Sequence, residues 1–408
     1  VTSKPHHKIA RLRPLLVLAI GLFCSLLLMS RAQAQSFFGD LGNGVTVGVD
    51  QGSAALLPTV DETTRFLTFD TYGSVEIGRE IASFSVAQPG FLVLGDQFDL
   101  VTVVAGFLGS GPTEVLAFGL GYQMPLNEKG LTWFVNADHA KVVVGGAANR
   151  ALDIRGDRSN LSFGVRKTWS PSADVTTRAS LEVRSRRSTG QVLGFPVLDE
   201  DLRVVQLSLQ HERGVPFGFR TRFGASIAKG LSGFGASGRF NPAASLPGAS
   251  AQFLRLSMAM EISLPVSARL VFNAGLAGQW ADRSLPLSER CGYATNAFSR
   301  GFDQTVANGD RCIASRIELA RYLTLPTQDG PSGVLTQGFA GLDAGRVWNL
   351  GSATLAPATR DWSSLSVGLR ALRGGSIAEI AVTRILDDFD TAIPQDEHRL
   401  WLRVATRF

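Results

Sequence analysis

Beyond residue 34 the chain has no apolar run long enough to cross a bilayer as a helix, yet apolar residues recur at every second position in one segment after another. A strand sends successive side chains to opposite faces, so each such segment has one face suited to lipid and one suited to water. Gly, Pro, Asp and Asn separate the segments, and the sequence holds 44 glycines. Closing the strands into a barrel satisfies every backbone polar group within the bilayer without helices. The last segment shows the pattern best. In Leu400-Trp401-Leu402-Arg403-Val404-Ala405-Thr406-Arg407-Phe408, the even positions are Leu, Leu, Val, Thr and Phe, and the odd ones include Arg403 and Arg407. The even face can meet lipid while the guanidinium groups project into a wet lumen. A strand of a soluble sandwich would alternate in the same way. The glycine content, the lack of helical periods and an N-terminal export signal favour the barrel.

That signal occupies residues 1–34. Lys4, Lys8, Arg11 and Arg13 precede the apolar run 15–29, and Ala32-Gln33-Ala34 supplies small residues for cleavage. The run is shorter than the ~20 residues of a spanning helix, so a cleaved signal peptide is expected rather than an anchor. The chain carries 40 basic and 35 acidic residues, and five of the basic ones lie in this leader, which has no acidic residue. Beyond it the charges balance, which removes any electrostatic argument for nucleic-acid binding.

Residues 35–64 are weakly patterned and read as a periplasmic lead-in or inner segment. Residues 65–408 read as one all-β transmembrane antiparallel barrel. Strand signals fall at 65–75, 76–86, 99–107, 115–123, 132–138, 161–169, 174–184, 203–212, 217–228, 252–262, 268–279, 314–321, 336–347, 364–372, 377–385 and 397–408. Sixteen strands suit this length and the even counts of bacterial barrels. Fourteen or eighteen also fit, because weak segments such as 132–138 are hard to delimit.

One stretch, 278–319, breaks the rhythm with a charged, Gly-rich loop. It holds Ser299-Arg300-Gly301-Phe302, then Gly309-Asp310, then Arg316-Ile317-Glu318-Leu319. Cys291 and Cys312 flank it. An exported chain reaches a compartment where disulfides persist, and a bridge here would reduce the loop's freedom. Two free thiols or a metal pair are the other readings, although no His ligands lie close by in sequence.

Several motifs together resemble the barrel of the two-partner secretion transporters, the haemolysin secretion/activation proteins within the outer-membrane assembly superfamily. These are Phe69-Asp70-Thr71-Tyr72-Gly73, Leu94-Gly95-Asp96-Gln97, Tyr122-Gln123-Met124-Pro125-Leu126 and Lys229-Gly230-Leu231. Further on come Leu285-Pro286-Leu287 with Glu289, then Arg300-Gly301-Phe302, Arg316 with Glu318, and Asp343 with Gly345. The resemblance implies a sixteen-stranded barrel in a Gram-negative outer membrane, with a long extracellular loop folded into the lumen. It implies a loop tip, Arg300-Gly301-Phe302, whose arginine pairs bidentately with Asp343 or Glu318 on the wall. It also implies a secreted polypeptide client, and barrel-assembly machinery that recognises the C-terminal strand ending in Phe408. There are departures. Ser299 stands where the family commonly has Val or Ile, Gly341 stands where it has an aromatic residue, and residues 35–64 are too few for a periplasmic transport-associated domain. Client capture is therefore expected from a separate periplasmic domain protein or from the barrel rim.

The residues leave alternatives open. The loop clamp can serve to stabilise the barrel or as a gate that releases for a client. Arg184, Arg186 and Arg187, with Arg155 and Arg158 upstream, read as solvated loop charge; a lumen-lining ring is the sharper alternative. Asp387, Asp388 and Asp390 read as an exposed acidic turn. No nucleophile–base arrangement, Gly-x-Ser-x-Gly elbow or zinc spacing is present in the sequence, so neither an enzyme nor a cofactor is expected. The leading function is export of a surface or secreted protein. A passive solute pore, or a structural barrel working beside a periplasmic partner, are the others.

Overall fold

The computed structural model describes residues 63–71, 80–108, 115–127, 129–143, 152–214, 219–238, 241–246, 248–292, 300–301, 308–323, 334–350, 359–373, 376–386 and 397–408. The leader, nearly all of the lead-in, Phe302 and the acidic run 387–390 lie outside these residues. The strands are β1 (Thr64–Asp70), β2 (Ile81–Pro89), β3 (Gln97–Ala105), β4 (Val115–Pro125), β5 (Leu131–Val143), β6 (Arg155–Ser172), β7 (Val175–Val192), β8 (Phe195–Gly214) and β9 (Arg220–Gly230). They continue with β10 (Leu254–Ser267), β11 (Leu270–Ala281), β12 (Cys291–Gly292), β13 (Asn308–Gly309), β14 (Arg311–Tyr322), β15 (Leu335–Trp348), β16 (Thr359–Arg373), β17 (Ser376–Ile385) and β18 (His398–Arg407). All but β12 and β13 form one closed antiparallel barrel of sixteen strands, and each of the sixteen segments read from the sequence corresponds to one of them.

The barrel closes where β1 pairs with β18, from Phe66↔Arg407 to Asp70↔Arg403. Phe408 extends this seam by exchanging backbone hydrogen bonds with Arg65. The period-2 rule orients β18 as expected: Leu400, Leu402 and Val404 are exposed outwards, and Trp401 and Ala405 are buried inside. At the rim holding the C-terminus, connections such as 173–174, 268–269 and 374–375 are short. Long connections, 231–253 and 282–310 among them, lie at the other rim. In outer-membrane barrels the short turns are periplasmic and the long loops extracellular.

Three strands are much longer than a membrane crossing needs. β6, β7 and β8 run for 18, 18 and 20 residues, where about 9–11 suffice. Their extracellular ends stand as a wall above the lipid band. The inner face of the barrel is also not uniformly polar. Near the extracellular mouth Ile81, Val103, Val115, Val142, Val192 and Leu198 form a buried apolar cluster with Leu287 of the 282–310 connection. A second cluster joins Leu202 and Val204 to Phe253 and Leu285. Apolar inner walls of this kind are covered by the two long loops, which fold back against them instead of standing in solvent.

Candidate functional site

The 282–310 connection descends into the lumen in three fastened stages. At its root, Asp310 is buried and receives the backbone N–H groups of Leu285 (2.8 Å) and Leu350 (2.6 Å), and Arg290 lies 3.3 Å away. Cys291 and Cys312 form a disulfide with Cα atoms 6.4 Å apart, so the expected bridge ties the loop to β14. The two-residue strands β12 and β13 pair beside it, Cys291 opposite Gly309.

The second stage is Glu289, at the end of a 3-10 turn (Leu287–Glu289) that follows Pro286. Its carboxylate is fully buried and is met by Arg186 (2.8 Å) and Arg184 (3.3 Å) from β7 and by Arg255 (2.7 Å) from β10. This corrects the solvated-loop reading of the basic run. Arg184 and Arg186 occupy inward positions on a strand that continues past the membrane, and both pair with the loop's own glutamate. Arg158 is likewise buried, 3.7 Å from Asp138. Arg155 and Arg187 alone point outwards, beside Asp153 and Asp199. An alternation test on residues 183–187 separates Arg184 and Arg186 from Arg187, and it is the signal that the sequence reading did not use.

The deepest stage is the tip. Arg300 is 2 % exposed, and its Nη2 lies 2.7 Å from Glu318 Oε2 on β14 and 3.4 Å from Glu379 Oε1 on β17. The Arg300 backbone N–H donates to Asp343 Oδ2 on β15 (3.2 Å), while Asp343 Oδ1 pairs with Arg316 Nε (2.6 Å). Arg370 on β16 completes the group, at 2.9 Å from Glu379 and 3.3 Å from Glu318. Three arginines thus face three carboxylates, which is what burial of so many charges requires. The Arg300 guanidinium also lies over Phe339 (4.8 Å) and Trp401 (5.3 Å). Two features differ from the sequence expectation. A single nitrogen bridges two glutamates instead of a bidentate pair, and Asp343 holds the tip's backbone because Arg316, its register partner, already takes its side chain.

Gly301 lies against β16 and β17. A Cβ there would come within 2.6 Å of Ser364 Cβ and 3.2 Å of Thr383 Cγ2, so close approach to the wall explains the glycine. Arg370, Glu379, Phe339 and Trp401 were not among the residues singled out from sequence. Arg370 and Glu379 sit at mirrored sequence positions about Gly374 and Gly375 and are direct register partners. Opposite charges placed symmetrically about a Gly-Gly pair in the sequence are the signal that finds them.

A family model described as haemolysin secretion/activation protein ShlB/FhaC/HecB matches residues 61–371. The chain belongs to that family. Among solved structures, CdiB from Escherichia coli aligns with TM-score 0.71 and 17 % identity over 86 % of this chain and 64 % of the other. CdiB from Acinetobacter baumannii aligns with TM-score 0.63 and 16 % identity, over 86 % and 61 % of the two chains. BamA from Haemophilus ducreyi follows with TM-score 0.53 and 11 % identity, over 85 % and 70 %. At these identities the likeness is one of fold. The chain spans less than two thirds of either CdiB structure, and no curated protein matches it. Within this haemolysin secretion/activation barrel the glycine at 341 acquires a reason. A Cβ on Gly341 would lie 3.2 Å from Arg300 Nη1, and the aromatic contact comes instead from Phe339, one pleat away on the same inner face.

Proposed function

We propose that this barrel exports a secreted or surface polypeptide across the outer membrane, with the in-folded loop clamped to the wall in the resting state. The observation that carries this reading is the six-charge cluster around Arg300, which fastens a long extracellular loop deep inside the lumen of a haemolysin secretion/activation family barrel. The cluster's first role is to fix the loop and stabilise the barrel. Export needs no nucleotide in this reading; folding of the client outside the cell draws it through. The client is a polypeptide delivered from the periplasm, by a separate periplasmic domain protein or directly at the barrel rim. Barrel-assembly machinery that recognises the C-terminal strand would insert the chain. The test is deletion of the gene in its host, with complementation, followed by comparison of surface and secreted proteins. Loss of one or a few large exported proteins from those fractions is expected, restored by the intact gene. An unchanged protein profile, together with solute-dependent conductance of the purified barrel, would replace this reading with a passive pore.

A further inference from the structure

The outer wall carries a concavity of about 620 Å³ that export does not use. Along one outward row, Ala225 on β9 and Gly278 on β11 flank Met258 on β10, and Ile313 on β14 stands next to Gly278. The two small residues form a trough between larger neighbours, with Leu209 and Trp280 among the walls. Met258, Ile313, Leu209 and Trp280 are all exposed on the lipid side. Trp280 is the penultimate residue of β11, so the trough opens towards the extracellular rim. Tryptophan favours this interfacial level of a membrane.

Two cations crown the trough. Arg311 places its guanidinium 5.2 Å from the Trp280 ring and donates from Nε to the Ala281 carbonyl (2.9 Å). Lys229 is exposed on β9, one outward position above Ile227. Among the described residues no carboxylate lies within ion-pair distance of either. Asp282, the acid that Lys229 acts on electrostatically, is bonded instead by Arg283 (2.9 Å) and by the backbone N–H of Leu254. Arginines elsewhere on this rim are neutralised by a neighbouring acid, Arg155 by Asp153, Arg187 by Asp199 and Arg346 by Asp361. Lys229 and Arg311 stand three strand spacings apart across the sheet, roughly 14 Å, with Lys229 two residues, about 7 Å, further along the strands towards the extracellular rim.

We propose that this trough binds a bis-phosphorylated, multiply acylated glucosamine disaccharide of the outer leaflet, a lipid of the lipid A class. Acyl chains fill the trough, and the two phosphates meet Lys229 and Arg311. A bilayer wets any barrel wall with acyl chains. A headgroup preference arises only where cations not directly bonded to a carboxylate stand over a recess, and the charge complementarity here is to an acyl lipid with two separated phosphates.

Native mass spectrometry of the purified full-length protein in detergent, titrated with lipid A, its monophosphoryl form and phosphatidylglycerol, tests this. Each phosphate removed should weaken binding about five-fold, as should each of K229Q and R311Q. Gly278→Leu should abolish the preference for lipid A without shifting the unfolding midpoint, because a Cβ at 278 makes only ordinary contact, 3.5 Å from the Cys312 carbonyl. Ala225→Leu serves as a second groove-filling variant if the first does not fold. Equal retention of lipid A and phosphatidylglycerol would overturn the proposal. So would lipid A binding that is unchanged in the K229Q/R311Q double variant, since only a general acyl annulus would then remain.

Discussion

Arg300 contributes through what it leaves behind when removed. Arg300→Ala would leave Glu318 and Glu379 beside each other with Arg370 as the cation they share, and it would free the Phe339 and Trp401 faces. Breaking a buried pair of this kind typically costs about 3–5 kcal/mol. Denaturant unfolding of the refolded barrel, followed by tryptophan fluorescence, should show a loss of that order. An unchanged midpoint would mean that the cluster is solvated in the working protein. Glu289 makes the opposite case, one carboxylate against three arginines. Glu289→Gln should destabilise the barrel, and adding Arg186→Gln to it should recover part of the loss, because the double variant removes like-charge repulsion instead of adding to it. Strict additivity of the two substitutions would show that Arg186 and Glu289 are not coupled.

At the level of elements, the disulfide and the long β6–β8 wall are the parts that hold the loop root. Cys291 and Cys312 are separated by 21 positions, and in the chain-entropy account a ring of that size contributes about 3 kcal/mol. The Cys291→Ser/Cys312→Ser variant should therefore unfold at lower denaturant while keeping its strand content, as read by circular dichroism. The same elements show what was legible in the sequence. Every membrane strand could be placed from its alternation, because lipid on one side and lumen on the other impose period 2. The extracellular ends of β6, β7 and β8 could not, because Arg158, Arg184 and Arg186 look like loop charge until their buried partners are known. The tip residues were visible as a motif. The exchange of partners between Arg300 and Arg316 was not, since it depends on the register Arg316↔Asp343 across β14 and β15. Nor did any motif mark the lipid-side trough, which is made of residues ordinary for an outward face.

For the whole molecule, the lumen of this family member is a stack of fastenings. The Asp310 latch and disulfide sit at the mouth, Glu289 lies level with Leu202 and Val204 of the second apolar cluster, and the Arg300 cluster is deepest. Among the described residues only the last reaches strands β14 to β18 at once, through Glu318, Asp343, Arg370, Glu379 and Trp401. A loop held on both flanks of the barrel keeps the lumen occupied, and under the proposed export function the deepest hold would have to give way before a polypeptide passed. The most direct measurement is single-channel conductance of the purified barrel in planar bilayers, with Arg300→Ala compared against the unmodified chain. The unmodified chain should stay mostly closed with rare openings, and Arg300→Ala should open longer and more often at the same voltage. Indistinguishable traces from the two would contradict the account, because the Arg300 cluster would then not be what holds the loop in the lumen.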